Sequence, residues 1–231
     1  MMERSLQAEL LDELPANDPR AVGSRRDLCR INALMGNARL MAMAVCAATP
    51  QAIPRRIVDL GAGDGDFLLR CVRRMPPLAP GTEVLLVDRQ DAAEARVVTA
   101  LSARGFSPRR VSADGLEWLR SQPAEAGTWV LANLFLHHFT TESLRELLIA
   151  IAETAELCCA CEPRRGWWPL AASRMLGLIG ANAVTRHDAP VSVRAGFQDG
   201  ELSALWPADS GWRLRERRAG LFSHLFLAQR V

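Results

Sequence analysis

The sequence predicts an α/β fold: a mostly parallel sheet with helices on both of its faces. From residue 56 onward, short apolar runs alternate with segments of helical period, which is the pattern of strands joined by crossover helices. The first of these runs, residues 56–60, leads directly into three glycines, Gly61, Gly63 and Gly65. Glycines at that position let the chain turn sharply after the first parallel strand and approach a ligand closely.

Composition limits the chemistry and the partners of this chain. Its 231 residues are 49% hydrophobic and 23% charged, which is enough apolar material for one substantial core. The formal net charge of +2 provides no strong field for nucleic acid or acidic lipid. All 28 basic residues are arginine and tyrosine is absent, so catalytic lysines and tyrosine bases are excluded.

The N-terminus and the cysteines predict a reduced, cytoplasmic protein. The opening stretch, MMERSLQAELLDELP, carries acids and lacks the apolar core of a signal peptide. Six cysteines show no paired spacing, and the later apolar segments are too short or too interrupted to span a bilayer. We therefore expect a soluble protein without a membrane span.

Five strands and their connecting helices are predicted in order. The strands are the apolar runs 56–60, 83–88, 109–114, 128–136 and 157–163. A helix over 66–75 follows the first strand. A capping box of Asp91 and Glu94 begins a second helix, which Gly105 ends.

The later part of the chain predicts two more helices and two final strands. Thr140 caps the clearest helix, whose single apolar stripe consists of Leu144, Leu147, Leu148, Ile151 and Ala155. Pro163 stops the fifth strand, and an apolar helix follows to about Gly180. The segments WRLRERRAG and LFSHLFLAQRV are predicted as two strands joined by a turn at 219–220.

Ahead of the sheet, residues 1–50 are predicted as an N-terminal helical cap. A capping box of Ser24 and Asp27 begins one helix, and the pair Gly36-Asn37 separates it from the next. The proline-marked linker 49–56 joins this cap to a main domain, 51–231, which is predicted to contain an insertion at about 181–210. Such helices need an apolar surface to cover, and the open end of a parallel sheet is where a pocket forms.

The glycine spacing distinguishes between two kinds of nucleotide cofactor. A dinucleotide fold uses G-x-G-x-x-G, whose third glycine permits close packing of the phosphate-binding helix. Here Gly65 comes one residue early and Asp66 occupies the position of that glycine. An acid in the first turn of the helix would repel a pyrophosphate, which disfavours phosphate binding.

A ligand with a cationic amine and no phosphate would suit Asp59, Asp64 and Asp66 better. At this point the chain resembles the class I S-adenosylmethionine-dependent methyltransferases, whose first motif is an acid, a spacer and G-x-G-x-G. The resemblance covers about 56–163 and the two final strands. It implies a Rossmann-like, seven-stranded, mostly parallel sheet whose last strand is antiparallel, with S-adenosyl-L-methionine as the cofactor.

The resemblance also implies which residues bind that cofactor. Asp59 and the backbone of 61–65 would hold its methionine end, and Asp114 would accept a hydrogen bond from the adenine amine. Asp88 would bind both ribose hydroxyls, a role that also follows directly because a carboxylate is the natural acceptor for a diol. The full set of cofactor-binding candidates is Asp59, Gly61, Ala62, Gly63, Gly65, Asp88, Arg89, Ala113, Asp114, Gly115, Asn133 and Leu134.

Three histidines are candidate catalytic residues. A general base helps most where a neutral hydroxyl must lose its proton, and histidine titrates in the useful range. His137 and His138 directly follow the fourth strand, where one of them acts as a base or braces the cofactor pocket. His187, beside Asp188, is either an oriented base or part of a capped turn, whereas His224 is more consistent with a structural role.

No metal site is predicted. Strand alternation places Cys158, Cys159 and Cys161 on different faces and no C-x-x-C pair exists, so these cysteines are expected to be buried packing residues. The chain also lacks the proline-containing signatures of methyltransferases that act on nucleobase amines or cytosine carbon. A small-molecule acceptor is therefore expected, and no nucleic-acid partner.

The predicted function is methylation of a small, hydrophobic or aromatic acceptor, most directly at oxygen. Methionines and tryptophans in the segments predicted to cover the open end of the sheet suit such an acceptor. The layout of those segments also resembles bacterial methyltransferases of phenolic or polyketide-type lipids. The alternatives are an N- or C-methyltransferase that relies on proximity, a nucleotide-binding protein without turnover, and a nicotinamide oxidoreductase.

Overall fold

A computed structural model of the chain describes residues 2–50, 53–90, 92–208 and 211–231. Seven strands form one sheet in the order β3-β2-β1-β4-β5-β7-β6. The first five strands in this order are parallel, and β7 runs antiparallel to both of its neighbours. The strands are β1 (Arg56–Leu60), β2 (Glu83–Asp88), β3 (Ser107–Ser112), β4 (Thr128–Asn133), β5 (Leu157–Pro163), β6 (Trp212–Ala219) and β7 (Ser223–Arg230).

Ten α-helices within the described residues surround this sheet. They are α1 (Leu10–Glu13), α2 (Pro19–Met35), α3 (Asn37–Ala48), α4 (Asp66–Val72), α5 (Ala95–Ser102), α6 (Gly115–Arg120), α7 (Thr141–Thr154), α8 (Trp167–Arg174), α9 (Ala183–Ala195) and α10 (Glu201–Leu205). Two 3-10 helices, Leu136–His138 and Leu176–Ile179, lie between them. Helices on both faces of a mostly parallel sheet confirm the predicted fold class.

The two faces of the sheet bury separate apolar clusters. Because successive side chains of a strand point to opposite faces, Ile57 and Leu131 pack with α3, α4 and α5. Val58 and Val130 point to the other face and pack with α7 and α10. The predicted stripe of α7 is fully buried there, and Thr140 caps that helix by accepting a hydrogen bond from the Ser143 backbone N–H at 3.2 Å.

Several element ends differ from the sequence prediction. Strand β3 lies two residues earlier than predicted. Strand β4 ends at Asn133 rather than 136, because Leu134 adopts a left-handed backbone with φ of 53°. Helix α5 begins at Ala95 with Glu94 as its N-cap and no side-chain cap bond. The predicted partner of Glu94 in the capping box, Asp91, lies outside the described residues.

The predicted capping box of Ser24 and Asp27 is wrong, because both residues lie inside α2. That helix begins at Pro19, and its N-cap Asp18 accepts a hydrogen bond from the Arg20 backbone N–H. Buried Ser24 and Asp27 instead contact the segment that begins α9. Ser24 Oγ lies 3.0 Å from Thr185 Oγ1, and Asp27 accepts a hydrogen bond from the Asn182 backbone N–H at 2.8 Å.

Helix α2 contacts α9, and α3 packs against β5 and β7. The two helices are separated by Gly36, whose left-handed φ of 71° allows the change of direction. None of the helices in the described ranges is by itself long and apolar enough to cross a membrane. The pair α2 and α3, bent by 55°, meets the length and composition criteria together. Whether residues 1–50 form a separate unit stays a prediction.

Candidate functional site

A cavity of about 910 Å³ lies at the carboxyl ends of the parallel strands. This is the edge at which open α/β sheets bind ligands. Most of the predicted site residues line it: Asp59, Gly61, Ala62, Gly63, Asp88, Arg89, Ala113, Asp114, Gly115, Asn133, Leu134, His137 and His138. The volume is at the upper end of the range typical of small-molecule sites, which leaves room for two ligands.

Two predicted residues, Gly65 and His187, do not line the cavity. Gly65 is the left-handed N-cap of α4, with φ of 76°, and so turns the chain into that helix. His187 lies in α9 with half of its side chain exposed, and its Nδ1 is 2.8 Å from Asp188 Oδ1. Because the carboxylate of Asp188 accepts the backbone N–H groups of Leu10 and Leu11, this pair fixes the N-terminal segment.

The glycine loop after β1 leaves backbone open to the cavity. Gly61 and Gly63 both have a left-handed φ, at 69° and 54°. A Cβ on Gly61 would overlap the Phe135 ring, whereas a Cβ on Gly63 would meet no atom within 4 Å. The Gly63 backbone N–H donates to Asp88 Oδ2 at 2.9 Å, which couples this loop to the end of β2. The loop is therefore shaped for a ligand that lies directly on its backbone.

Asp59 is a buried acid, and one of its carboxylate oxygens lacks a partner. It is 2% exposed, and its Oδ2 has no hydrogen-bond partner in the described part of the chain. Burial, together with the nearby carboxylates of Asp88 and Asp64, raises its pKa to about 8. Since Asp59 lines the cavity, a cationic amine placed there would supply the missing partner.

We expect Asp59→Asn to stabilise the ligand-free protein while weakening binding of a cationic ligand. Between the ordinary pKa of 3.8 and about 8, the folded chain holds one more proton than the unfolded chain. Stability therefore falls as pH rises through this window, by at most about 1.4 kcal/mol per pH unit. The variant has no carboxyl group at this position and so lacks this loss of stability. Its free energy of unfolding should therefore exceed that of the wild type by an amount that grows from pH 5 to pH 8. Denaturant titrations over this pH range would measure the difference. Parallel stability curves would contradict this account of Asp59.

Asp66 has a different role from the one the sequence suggests. Its carboxylate pairs with the guanidinium of Arg70 and, at 3.2 Å, with that of Arg96. These two cations offset the repulsion that the acid alone would exert on a phosphate. Asp64 likewise accepts hydrogen bonds from the Asp66 backbone N–H and the Cys29 thiol. The unpartnered oxygen of Asp59 is therefore the better indicator of a cationic ligand.

Asp88 ends β2 as the sequence predicts, whereas Asp114 lies two residues after the end of β3, and both line the cavity. Asp88 Oδ1 accepts the Gln90 backbone N–H at 2.8 Å. Asp114 caps α6 through Oδ1, which accepts the backbone N–H groups of Leu116 and Glu117. These bonds fix both carboxylates at the cavity wall. Each carboxylate oxygen can accept more than one hydrogen bond, so acceptor capacity remains.

His137 is held between two carboxylates. Its Nδ1 lies 2.8 Å from Glu162 Oε2, and its Nε2 lies 3.4 Å from Glu9 Oε1. Burial opposes protonation, but the hydrogen bonds and charges of Glu162 and Glu9 outweigh it and raise the pKa of His137 to about 9. Glu162 also accepts the backbone N–H groups of Phe135 and Leu136, both at 3.0 Å. His137 therefore anchors the chain that follows β4.

His138 is the more accessible of the two adjacent histidines. Its Nδ1 lies 3.1 Å from Asp12 Oδ2, and 26% of its side chain is exposed. The two imidazole centroids are 4.2 Å apart, and both rings line the cavity. His138 is thus a histidine oriented by a carboxylate and open to a substrate, which is the arrangement required of a general base.

The sequence predicts an N-terminal cap but not that this segment supplies Glu9 and Asp12 to the site. This segment is tied across the site by backbone contacts that no local pattern encodes. Arg4 donates from Nη2 to the carbonyl oxygens of His137 and Phe139, at 3.2 and 2.9 Å. Glu162 could have been identified from the sequence, because it is a charged residue next to the end of an otherwise apolar strand.

The cysteines occupy the buried positions that the sequence predicts. Cys158, Cys159 and Cys161 in β5 are fully buried. Burial, with a smaller contribution from Glu162, raises the pKa of the Cys158 thiol to about 12, so this thiol is protonated at neutral pH. These residues serve packing.

Comparison with solved structures identifies the fold. The plantazolicin methyltransferase BpumL, solved with S-adenosylhomocysteine, matches 93% of this chain and 92% of its own, with TM-score 0.63 and 11% identity. An O-methyltransferase family protein from Burkholderia thailandensis matches 93% of this chain with TM-score 0.57 and 18% identity. The mitomycin 7-O-methyltransferase MmcR matches 96% of it with TM-score 0.54 and 20% identity.

These likenesses confirm the predicted class I methyltransferase fold. The chain spans 61% of the length of the Burkholderia protein and 60% of that of MmcR. No protein-family model matches the sequence, and no curated protein does so. Function must therefore be argued from the site itself.

Proposed function

We propose that this protein is an S-adenosylmethionine-dependent methyltransferase that acts on a small, hydrophobic or aromatic acceptor, most directly at oxygen. One observation carries the proposal. A single cavity is lined both by an unpaired buried acid beside an open glycine loop and by a carboxylate-oriented histidine. The acid suits the cofactor's amine, and the histidine suits an acceptor hydroxyl.

The residues of the cofactor half each match a different part of the cofactor. Asp59 would bind the amine, and the backbone at Gly61 and Gly63 would lie against the methionine end. Asp88 would accept from the ribose hydroxyls and Asp114 from the adenine amine. When bound, the cofactor supplies an activated methyl group. The protein's remaining work is then to align the acceptor, exclude water and remove a proton.

The acceptor half of the cavity favours an apolar molecule with one polar group. The apolar lining of the cavity as a whole includes Leu28, Met35, Phe139, Leu176 and Val193. His138 would take the proton of an acceptor hydroxyl or otherwise promote its loss, while Asp12 holds the ring in place. The structural neighbours named for plantazolicin and for mitomycin support a small-molecule or peptide acceptor. The net charge of +2 gives no support to a nucleic-acid acceptor.

The predicted location and organisation extend this proposal. The enzyme would be cytoplasmic and bacterial. Residues 1–50 would form a cap and 181–210 an acceptor-pocket insertion, and the contact between α2 and α9 supports this pairing of the two segments. N- or C-methylation is the second candidate. It is favoured by the two carboxylates that flank His137, because a histidine held in this way is not free to act as a base.

A methyl-transfer assay tests the reaction. The full chain would be incubated with S-adenosylmethionine and a matched panel of aromatic acceptors carrying a hydroxyl, an amine or neither. We expect equal amounts of S-adenosylhomocysteine and of a product one methyl group heavier, with phenols but not with the corresponding methyl ethers. Transfer to the amines alone would assign N-methylation instead.

A further inference from the structure

We propose that Glu9, His137 and His138 form a binding site for one divalent first-row transition-metal ion, such as Zn²⁺ or Co²⁺, on the cavity wall. One donor atom from each of these side chains lies within 4.8 Å of the other two. All three residues line the cavity. Two imidazoles and one carboxylate form a ligand set suited to these metals, with positions left for other ligands.

The spacing of two of these atoms already fits a metal ion. Glu9 Oε1 and His137 Nε2 are 3.4 Å apart. Two ligands bound at about 2.1 Å and separated by a tetrahedral angle lie about 3.4 Å from each other. His137 Nε2 is also buried, and its 3.4 Å contact with Glu9 lacks the alignment of a hydrogen bond, so no group in the described residues hydrogen-bonds this nitrogen. Such an unsatisfied buried nitrogen needs an explanation, and a metal ion provides one.

The surroundings of both histidines match those of metal-bound imidazoles. Metal-ligating histidines donate their other ring N–H to a carboxylate or carbonyl, which fixes the tautomer and the ring orientation. Here His137 Nδ1 lies 2.8 Å from Glu162, and His138 Nδ1 lies 3.1 Å from Asp12. With Nδ1 as the donor in each ring, each Nε2 offers its lone pair once the ion has displaced the proton that the His137 ring otherwise holds there.

The carboxylate ligand is supported as well. Glu9 Oε1 accepts a hydrogen bond from Ser192 Oγ at 2.5 Å, which ties it to α9. Ligating carboxylates are themselves hydrogen-bonded in this way. An ion at this position would offer its open coordination positions to an oxygen of the acceptor. The proposal concerns binding alone and does not depend on methyl transfer.

Metal titration of the full, tag-free chain tests the site. After treatment with chelator and its removal, Co²⁺ would be added while the visible d–d absorption is recorded, and Zn²⁺ would be titrated by calorimetry. We expect one ion per chain. Glu9→Gln and His138→Ala should each weaken binding at least tenfold, and Asp12→Asn by roughly 10- to 100-fold. Glu83→Gln is the matched control, since this carboxylate lies at the opposite edge of the sheet and pairs with Arg56 and Arg109, and should bind the ion as the wild type does.

Either of two results would overturn the proposed metal site. No 1:1 binding of either ion to the wild type would overturn it, as would wild-type binding by both Glu9→Gln and His138→Ala. If Glu9→Gln does not fold, as judged by circular dichroism, the accessible position of His138 keeps the second variant decisive. Binding of S-adenosylhomocysteine in metal-free buffer is measured separately, so loss of the metal site and failure of the proposed function give different results.

Discussion

Replacing His138 with alanine is expected to lower kcat by roughly 10²- to 10⁴-fold, the range typical of lost acid–base assistance. The affinity for S-adenosylmethionine should change little, because His138 contacts the acceptor side of the cavity. The same reduction in kcat is expected whether the His138 imidazole takes the proton itself or binds a metal ion that lowers the pKa of the acceptor hydroxyl. Single-turnover methyl transfer and calorimetric cofactor binding would be measured on the same preparation.

Two other histidine variants serve as controls for this result. His187→Ala should lower kcat far less than His138→Ala does, since that side chain lies outside the cavity and acts on it only through Asp188. His137→Ala should instead lower stability, by about 3–5 kcal/mol, because it leaves the buried carboxylate of Glu162 without its partner. Equal kcat values for the His138 and His187 variants would contradict the assignment of His138.

Replacing Asp88 with asparagine is expected to weaken cofactor binding by at least tenfold. The carboxylate lines the cavity and accepts the Gly63 backbone N–H, so it serves both the ribose and the glycine loop. Hydrogen bonds to charged groups contribute about 1.5–3 kcal/mol, which corresponds to roughly 10- to 150-fold in affinity. Calorimetric titration with S-adenosylhomocysteine measures this directly.

Glu83 provides the matched control for Asp88. It lies at the opposite end of the same strand, where it pairs with Arg56 and Arg109 far from the carboxyl edge. Glu83→Gln should leave the dissociation constant within about twofold of the wild-type value, since surface ion pairs contribute little. If both variants bind equally well, Asp88 does not contact the cofactor.

The sheet and the cofactor half of the site could be predicted from sequence because their determinants are local. Strand β1 and the glycines that follow it are contiguous, and Asp59 and Asp88 are each placed by the strand that carries them. Parallel register then brings the strand ends to one edge, where Asp59 and Asp88 both line the cavity. Only the parallel pairing of β1 with β2 had to be inferred to place these residues together.

The acceptor half could not be predicted in the same way, because long-range contacts build it. Glu9 and Asp12 meet His137 and His138 across more than half of the chain, and Arg4 holds that segment in place. Ser24 and Asp27 have the spacing of a helix start, yet Pro19 begins α2 earlier and leaves both side chains to bond α9. Local motifs cannot reveal such pairings.

Ligand binding by the wild-type chain tests the central claim most directly. Thermal unfolding would be followed with S-adenosylmethionine, S-adenosylhomocysteine and NAD in parallel. A ligand present at one hundred times its dissociation constant adds about 2.7 kcal/mol, or roughly 5–10 °C for a chain of this size. We predict that the two sulfur nucleosides raise Tm and that NAD does not. Stabilisation by NAD alone, or by none of the three, would contradict the assignment of this cavity as a methyltransferase cofactor site.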